Sequence, residues 1–591
     1  MKRFPFVILL LLLLSGPLVA GDRVPGETWM AYADPAEAGF DVEKLAAAHA
    51  AWETLPSSAF MVIADGAVVA SWGDVERRFM CHSVRKSFLS ALYGIYWDRG
   101  EIKLNRTMGE IGIEEPDDPL LPRELQARTL DLLKAKSGVF HPAAYAGRTD
   151  SRPRGSEGPG QYFAYNNWDF NTLAAILEKE TGASVFEAFD EHFGGPLAME
   201  DWRLSDGYFH YERDKSQYPA YPFRMSARDA ARFGLLFARE GRWDDQQILS
   251  RHWVRRSTAL YSIDSEVFGY GFMWWIAREP RFEKHGFAAA LGVGNQMIAA
   301  LPDSDIVIVN RANTYQGDRT PMPELLDLIE KILDARTVGI AEEPKLVPLQ
   351  TGGSASWETY VPNEQLSDMV GDWPYPAPAL GLPPMTSVTI TAEDGHLVMY
   401  SEVSGTFKIY LQSDGWLIEE DSGERYLPLH DNDGAFSGLA DSSTIARSAL
   451  LEAAAGENQA ARRRLALVQN EEDPFVAAAT VALGLIGGEK NMDATARAAA
   501  DRFEPLSVGR AINSIGFTLM GEGHIDDAEK VFRLNTRLWP EVPNPWDSLA
   551  QCLTEQHRYA ESIIAYEKVL ELDPENPTVR EQIATLRTKL E

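Results

Sequence analysis

Residues spaced 34 apart recur near the end of this chain, and that interval restricts the fold more than any other feature. Gly516, Ala528, Phe532 and Pro540 return as Ala550, Ser562, Tyr566 and Pro574. Small residues, an aromatic and a proline at this period describe one pair of antiparallel helices per repeat. A single pair cannot bury its apolar face, so the repeats must stack on neighbours. The stretch from Ser443 to Pro505 supplies degenerate helical hairpins that extend the stack. The predicted helical region is therefore 443–591.

The rest of the chain follows other periods, and 591 residues are too many for one core. The first region, 24–336, mixes strands and helices. Phe60–Ala64, Asp65-Gly66 and Ala67–Trp72 read as a β-hairpin, because Asp-Gly tolerates positive φ at both turn positions. A helix is expected from Ser83 to Arg99, stopped by Gly100. Others begin near Trp168, Ser184 and Ser226, and a last one spans Pro323–Ala335. Late strands are expected at Tyr270–Ile276, Ala288–Leu291, Gln296–Leu301 and Ile306–Val309. The simplest closure is one antiparallel sheet joining both ends of the region, with helices on its faces. The second region, 346–433, alternates short apolar runs with Asp-Gly and Ser-Gly turns and reads as a small all-β barrel or sandwich. Its prolines, Pro374, Pro376, Pro378, Pro383 and Pro384, are read as loop.

Charge and leader narrow the function. Lys and Arg number 56 against 87 Asp and Glu, a formal net charge of −31. A nucleic-acid partner needs the opposite sign, because Lys and Arg displace the phosphate counterions. Residues 1–20 read as a secretory signal: Lys2-Arg3, an apolar run from Phe6 to Leu14, then small residues at Ala20-Gly21. The run is short for a membrane span, so no span is expected after cleavage, and a periplasmic or secreted location follows. The two cysteines, Cys81 and Cys552, fall in different regions and are expected to be free. Cys81 reads as a small buried hydrophobe rather than a nucleophile. The histidines lack metal-ligand spacing, and no Gly-rich phosphate loop stands out, so no metal or cofactor is expected.

Ser83 and Lys86 stand three apart, within reach of each other on a helix. A serine hydroxyl is a weak nucleophile until a neighbour takes its proton. Lysine does this only when burial or a nearby cation lowers its pKa by about 3 units. Tyr165-Asn166-Asn167 precedes a helix, so a phenol and an amide stand where they can serve such a pair. The plainer alternatives are a helix cap at Ser83 with a solvated Lys86, and a core-edge tyrosine beside an asparagine cap. The apolar stripe Phe88-Leu89, Leu92 and Ile95-Tyr96 argues that the helix is buried.

The ordered set resembles the serine β-lactamase-like family, which includes class C β-lactamases, penicillin-binding DD-peptidases, esterases and 6-aminohexanoate-dimer hydrolases. Ser83–Phe88 resembles its Ser-x-x-Lys helix and Leu132–Gly138 its Leu-Leu-x-x-x-Ser-Gly segment. Tyr165-Asn166-Asn167 resembles its Tyr-x-Asn element. Met225–Gly234, and Gly269–Gly271 with Trp274-Trp275, resemble the helix after the site and the approach to the last strands. The resemblance implies an α/β transpeptidase-like domain in which Ser83 is the nucleophile, Lys86 its base and Tyr165 the shared acid and base. Asn167 would orient Lys86 or hold a substrate carbonyl. The third motif has two candidates. Lys284-His285-Gly286 fits by letter, but Gly292–Gln296 before an apolar strand and Pro302 fits the register better. Gly294 and Asn295 are then expected to offer the second oxyanion donor, and Val293 stands where the family often carries a charged group. That departure favours an ester or uncharged amide over a carboxylate-bearing substrate.

The second region resembles small lipocalin-like domains appended to such hydrolases, and the helical tail resembles tetratricopeptide repeats. The whole reads as a multi-domain exported serine hydrolase acting on a small ester or amide, with a tail for a protein partner or self-association. A β-lactamase or DD-peptidase, and an inactive binding protein, are the alternatives.

Overall fold

The computed structural model describes residues 23–591 apart from 146–151, 317, 338–340, 342, 353–360, 381, 432, 470, 472, 504, 575 and 591. The expected leader, 1–20, lies outside the described residues. The chain divides into two compact units, Met1–Ser356 with Tyr400–Phe407, and Trp357–Met399 with Lys408–Glu591.

Ten strands among the described residues build the sheet of the first unit. Leu346–Pro348 pairs antiparallel with Met30–Tyr32 at one edge. Met30–Tyr32 then runs parallel to Ala67–Gly73, so the sheet is mixed and not wholly antiparallel. Next come Ala59–Ala64, Ile306–Arg311, Gln296–Leu301 and Ala288–Gly292, then Trp275–Ala277, Phe268–Tyr270 and Ser262–Ile263. Asp65 and Gly66 make the first hairpin turn at φ 52° and 76°. The expected strand Tyr270–Ile276 is instead a tight hairpin. Gly271 approaches the Ser257 carbonyl so closely that a Cβ would sit 2.2 Å from its oxygen, and Met273 takes φ 60°.

Strand alternation sends side chains to two separate cores. Ala59, Met61 and Ile63 join the layer of the middle helices, as do Val307 and Val309. Phe60, Val62 and Ala64 face the other layer with Ile306 and Ile308. There the helices Val42–Trp52 and Met322–Ala335 cover the sheet through Leu45, Leu325 and Ile329. The helix Arg85–Asp98 belongs to the first layer and is buried from Arg85 to Tyr96. A 3₁₀ turn, His82–Val84, precedes it, so Ser83 lies just before the α-helix.

Seven strands among the described residues, from Gly371–Tyr375 to Phe436–Asp441, form a barrel-like sheet. Its ends meet where Ala377 N donates to Leu439 O at 3.1 Å and the Tyr375 hydroxyl donates to Asp441 at 2.5 Å. The barrel thus spans 371–441, whereas Leu346–Pro348 belongs to the first sheet. The Pro374 strand and the Gly438 strand lie outside the alternation that the sequence displays. Helical hairpins follow from Ser442 to Leu590. In the repeat, Gly516 faces the Phe532 ring, where a Cβ would be 2.4 Å from a ring carbon. The Ser562 hydroxyl donates to Ala550 O at 2.8 Å. Small residues at these positions let neighbouring helices approach closely.

Candidate active site

Ser83, Lys86, Tyr165 and Asn167 meet at one point in the first unit. Lys86 Nζ lies 3.0 Å from Ser83 Oγ and 2.7 Å from Asn167 Oδ1, and it is hydrogen-bonded to the Tyr165 hydroxyl. The amine rests 4.1 Å from the Tyr165 ring centre and 4.4 Å from that of Phe170. It is 1% exposed. Burial, and then the neighbouring Arg85 cation, hold its pKa well below the usual lysine value. A neutral amine has two N–H groups and one lone pair. The three contacts are all satisfied when Asn167 and Tyr165 accept and Ser83 donates its proton toward nitrogen. Burial pushes the Tyr165 hydroxyl up to about 12, against the lowering effect of its Ser83 hydrogen bond and of Arg85, so it is a phenol at neutral pH.

Local structure explains this convergence. Asn166 caps the helix Asn167–Thr181 by accepting from Asp169 N at 2.9 Å. That cap fixes the entry of the chain, and Asn167 and Tyr165 are carried with it. Asn167 also donates to the Tyr145 carbonyl. Ser137 donates to Asp169 at 2.5 Å, tying the Leu132–Gly138 segment to the same helix. Burial raises the Asp169 carboxyl to about 8, although bonds from Ser137 and Asn166 work the other way.

The 3₁₀ turn is held from both sides. His82 takes φ 49°. One of its ring nitrogens lies 2.7 Å from Thr314 Oγ1 and the other 2.9 Å from the Tyr145 hydroxyl. Burial, then Arg85, hold its pKa down at about 3. At the end of the strand Ala288–Gly292, Gly292 meets Ser83 directly. A Cβ there would lie 2.4 Å from Cys81 O and 3.1 Å from Ser83 N.

Gly294 and Asn295 are turned elsewhere. Gly294 O accepts from Thr320 N at 3.2 Å, and Asn295 donates to Thr320 O at 2.6 Å. The strand residue against Ser83 is Gly292, two positions before Gly294. Val293 is exposed and lines the cleft. Lys284-His285-Gly286 stands at the far end of that strand, with His285 2.6 Å from Ser304 Oγ. Cys81 and Cys552 are free and buried.

A cleft of about 1080 Å³ opens over Ser83. Tyr145, Phe163, Tyr165, Tyr261 and Trp275 are among its walls, with Leu260, Ile263 and Val293 beside them, and its charged groups are Lys136 and Asp264. Tyr145 and His82 carry no motif that singles them out in the sequence. Gly292 was legible only as the first glycine of the Gly-Val-Gly run. Among the described residues no cluster of three or more His, Cys, Asp or Glu is placed to hold a metal, and no helix is long and apolar enough to cross a membrane.

Residues 42–331 match the Beta-lactamase family model, and residues 543–576 match the tetratricopeptide repeat. Among solved structures the chain is similar to a β-lactamase from Mycobacterium bovis, at 19% identity over 49% of this chain and 97% of that one, TM-score 0.36. A penicillin-binding protein homologue from Caulobacter crescentus aligns at 13% identity over 50% of this chain and 99% of that one, TM-score 0.39. An octameric homologue from Pyrococcus abyssi aligns at 14% identity over 67% of this chain and 93% of that one, TM-score 0.36. No curated protein matches the sequence.

Proposed function

Because residues 42–331 form a domain of the β-lactamase family, we propose that the chain is an exported serine hydrolase that cleaves a small ester or amide through a Ser83 acyl-enzyme. The observation that carries this reading is the buried Lys86 amine, 3.0 Å from Ser83 Oγ and without a carboxylate partner among the described residues. Such an amine accepts a proton at neutral pH.

The steps follow from the contacts. Ser83 Oγ gives its proton to the Lys86 lone pair and bonds to the substrate carbonyl carbon, whose π electrons move to oxygen. The Ser83 amide and the strand end at Gly292 flank that oxyanion. On collapse the bond to the leaving group breaks. Tyr165, a phenol hydrogen-bonded to Lys86, protonates the leaving group and recovers a proton from the Lys86 ammonium. Water then repeats the sequence on the acyl carbon, with Ser83 as the leaving group. Asn167 holds Lys86 in line. The aromatic walls suit an apolar acyl or alcohol group, and the absence of a cation at Val293 favours an ester or uncharged amide over β-lactams. The leader supports export, and the repeat unit offers a surface for a protein partner or a second copy.

The test is hydrolysis of p-nitrophenyl butyrate and nitrocefin by the wild type and Ser83→Ala, with fluorophosphonate labelling of Ser83. Ester turnover lost in the variant is expected, at least 10³-fold. Full activity in Ser83→Ala would sink the mechanism.

A further inference from the structure

Arg85 is the residue between the nucleophile and its base that the acyl-transfer steps leave unused. It is 0% exposed. Its guanidinium lies between the rings of Tyr221 and Tyr145, 4.8 and 5.4 Å from their centres. It donates to His82 O at 3.2 Å and to Asn171 Oδ1 at 3.5 Å. Its Nε has no partner, and no carboxylate pairs with it among the described residues. It also stands at the first position of a helix, where the dipole disfavours positive charge. Holding a buried cation without a counterion is costly. Packing does not account for it, because a methionine would fill much of the same slot.

The groups around Arg85 share one character. His82 and Cys81 on the preceding turn, Tyr145 from its loop, Tyr165 before the next helix, Tyr221, and Lys86 itself all feel its charge. Arg311 and Arg319 act on His82 and Arg224 on Tyr145, all with the same sign. Arg311 is likewise fully buried, with Nε and Nη1 unpartnered. The acid Asp169 acts on Tyr270 and is bonded to Ser137. Buried Asp206 opposes these arginines: it pairs with Arg78, faces Arg224 and acts on Cys81, so the buried charge without a carboxylate of its own among the described residues is that of Arg85 and Arg311. An anion forming at Ser83 or at the substrate oxygen would compensate it.

We propose that Arg85 is a positioning residue of charge: a fixed buried cation that keeps the Lys86 amine proton-accepting and favours negative charge at Ser83. The proposal rests on the Ser83 hydrolase reading. The guanidinium exchanges no proton, because it stays charged throughout the working range.

The experiment is the pH profile of kcat/KM for p-nitrophenyl butyrate, and of the rate of Ser83 labelling by a fluorophosphonate. It compares the wild type with Arg85→Gln and Arg85→Lys. Without the cation Lys86 holds its proton to higher pH, so the acidic limb of Arg85→Gln should move upward by about one pH unit or more. Arg85→Lys keeps the charge and should leave the limb in place, at a lower rate. A uniform loss in Arg85→Gln with the limb unmoved would mean a packing role and overturn the proposal. Should Arg85→Gln fail to fold, an acidic limb displaced in Arg85→Lys overturns it instead. A wild type with no Ser83-dependent turnover or labelling removes the hydrolase reading first, and this proposal with it.

Discussion

The two units bury different things. In the first, Arg85, Lys86, Asp169, Asp229, Arg232 and Arg311 are at most 1% exposed. In the repeats the interior is Ala, Val, Leu and Phe, as at Ala528, Val531 and Phe532. Their charges stay on the outside. Arg533 pairs with Glu529 and Arg558 with Glu561, one turn apart on their helices. A stack of local hairpins needs only an apolar seam. A site for proton transfer has to take charge out of water and hold it there. Burial of charge thus separates the layer around Ser83 from the repeats, while the barrel buries Glu419 and Asp421.

The comparison breaks most readily at Lys86. Lys86→Met should lower ester kcat/KM by about 10³-fold or more, while the melting temperature holds or rises. A fall in melting temperature without loss of rate would make the buried charges structural. Phe532→Ala should destabilise the repeat unit by about 3–5 kcal/mol, seen by calorimetry, with Ser83 labelling retained. Tyr165→Phe should cost about 10²-fold in kcat/KM, read with an ester of poor leaving group. Asp169 sharpens the contrast through pH. Its folded pKa, about 8, exceeds the unfolded value near 4. The stability it contributes is therefore full below about pH 4 and lost as pH rises through about 8. Asp169→Asn should flatten stability over that window in a series of melts. Smallest of all, Glu561→Ala should leave the melting temperature unchanged within error, because its ion pair is exposed.

How far the sequence could be read follows the same division. Repeats contact their neighbours, so a 34-residue period already describes their packing. The Asp65-Gly66 hairpin and the Ser226 cap, which accepts from Asp229 N at 3.1 Å, are local in the same sense. Ser83, Lys86, Tyr165 and Asn167 were legible as short motifs, although they are up to 84 positions apart, Ser83 to Asn167. His82 and Tyr145 were not, because their pairing joins residues 63 positions apart and depends on how the chain folds back over the His82–Val84 turn. The Trp373-Pro374 strand was hidden because proline reads as loop, although a barrel margin tolerates its missing N–H.

By itself the sequence determined the three periodicities, the order of the motifs and the acidic surface, all properties of residues near one another in the chain. The tertiary structure decided which glycine meets Ser83 and that Arg85 has no counterion. It also decided that Lys86 is taken out of water. Those outcomes depend on distance and water exclusion between distant segments, and spacing along a chain encodes neither.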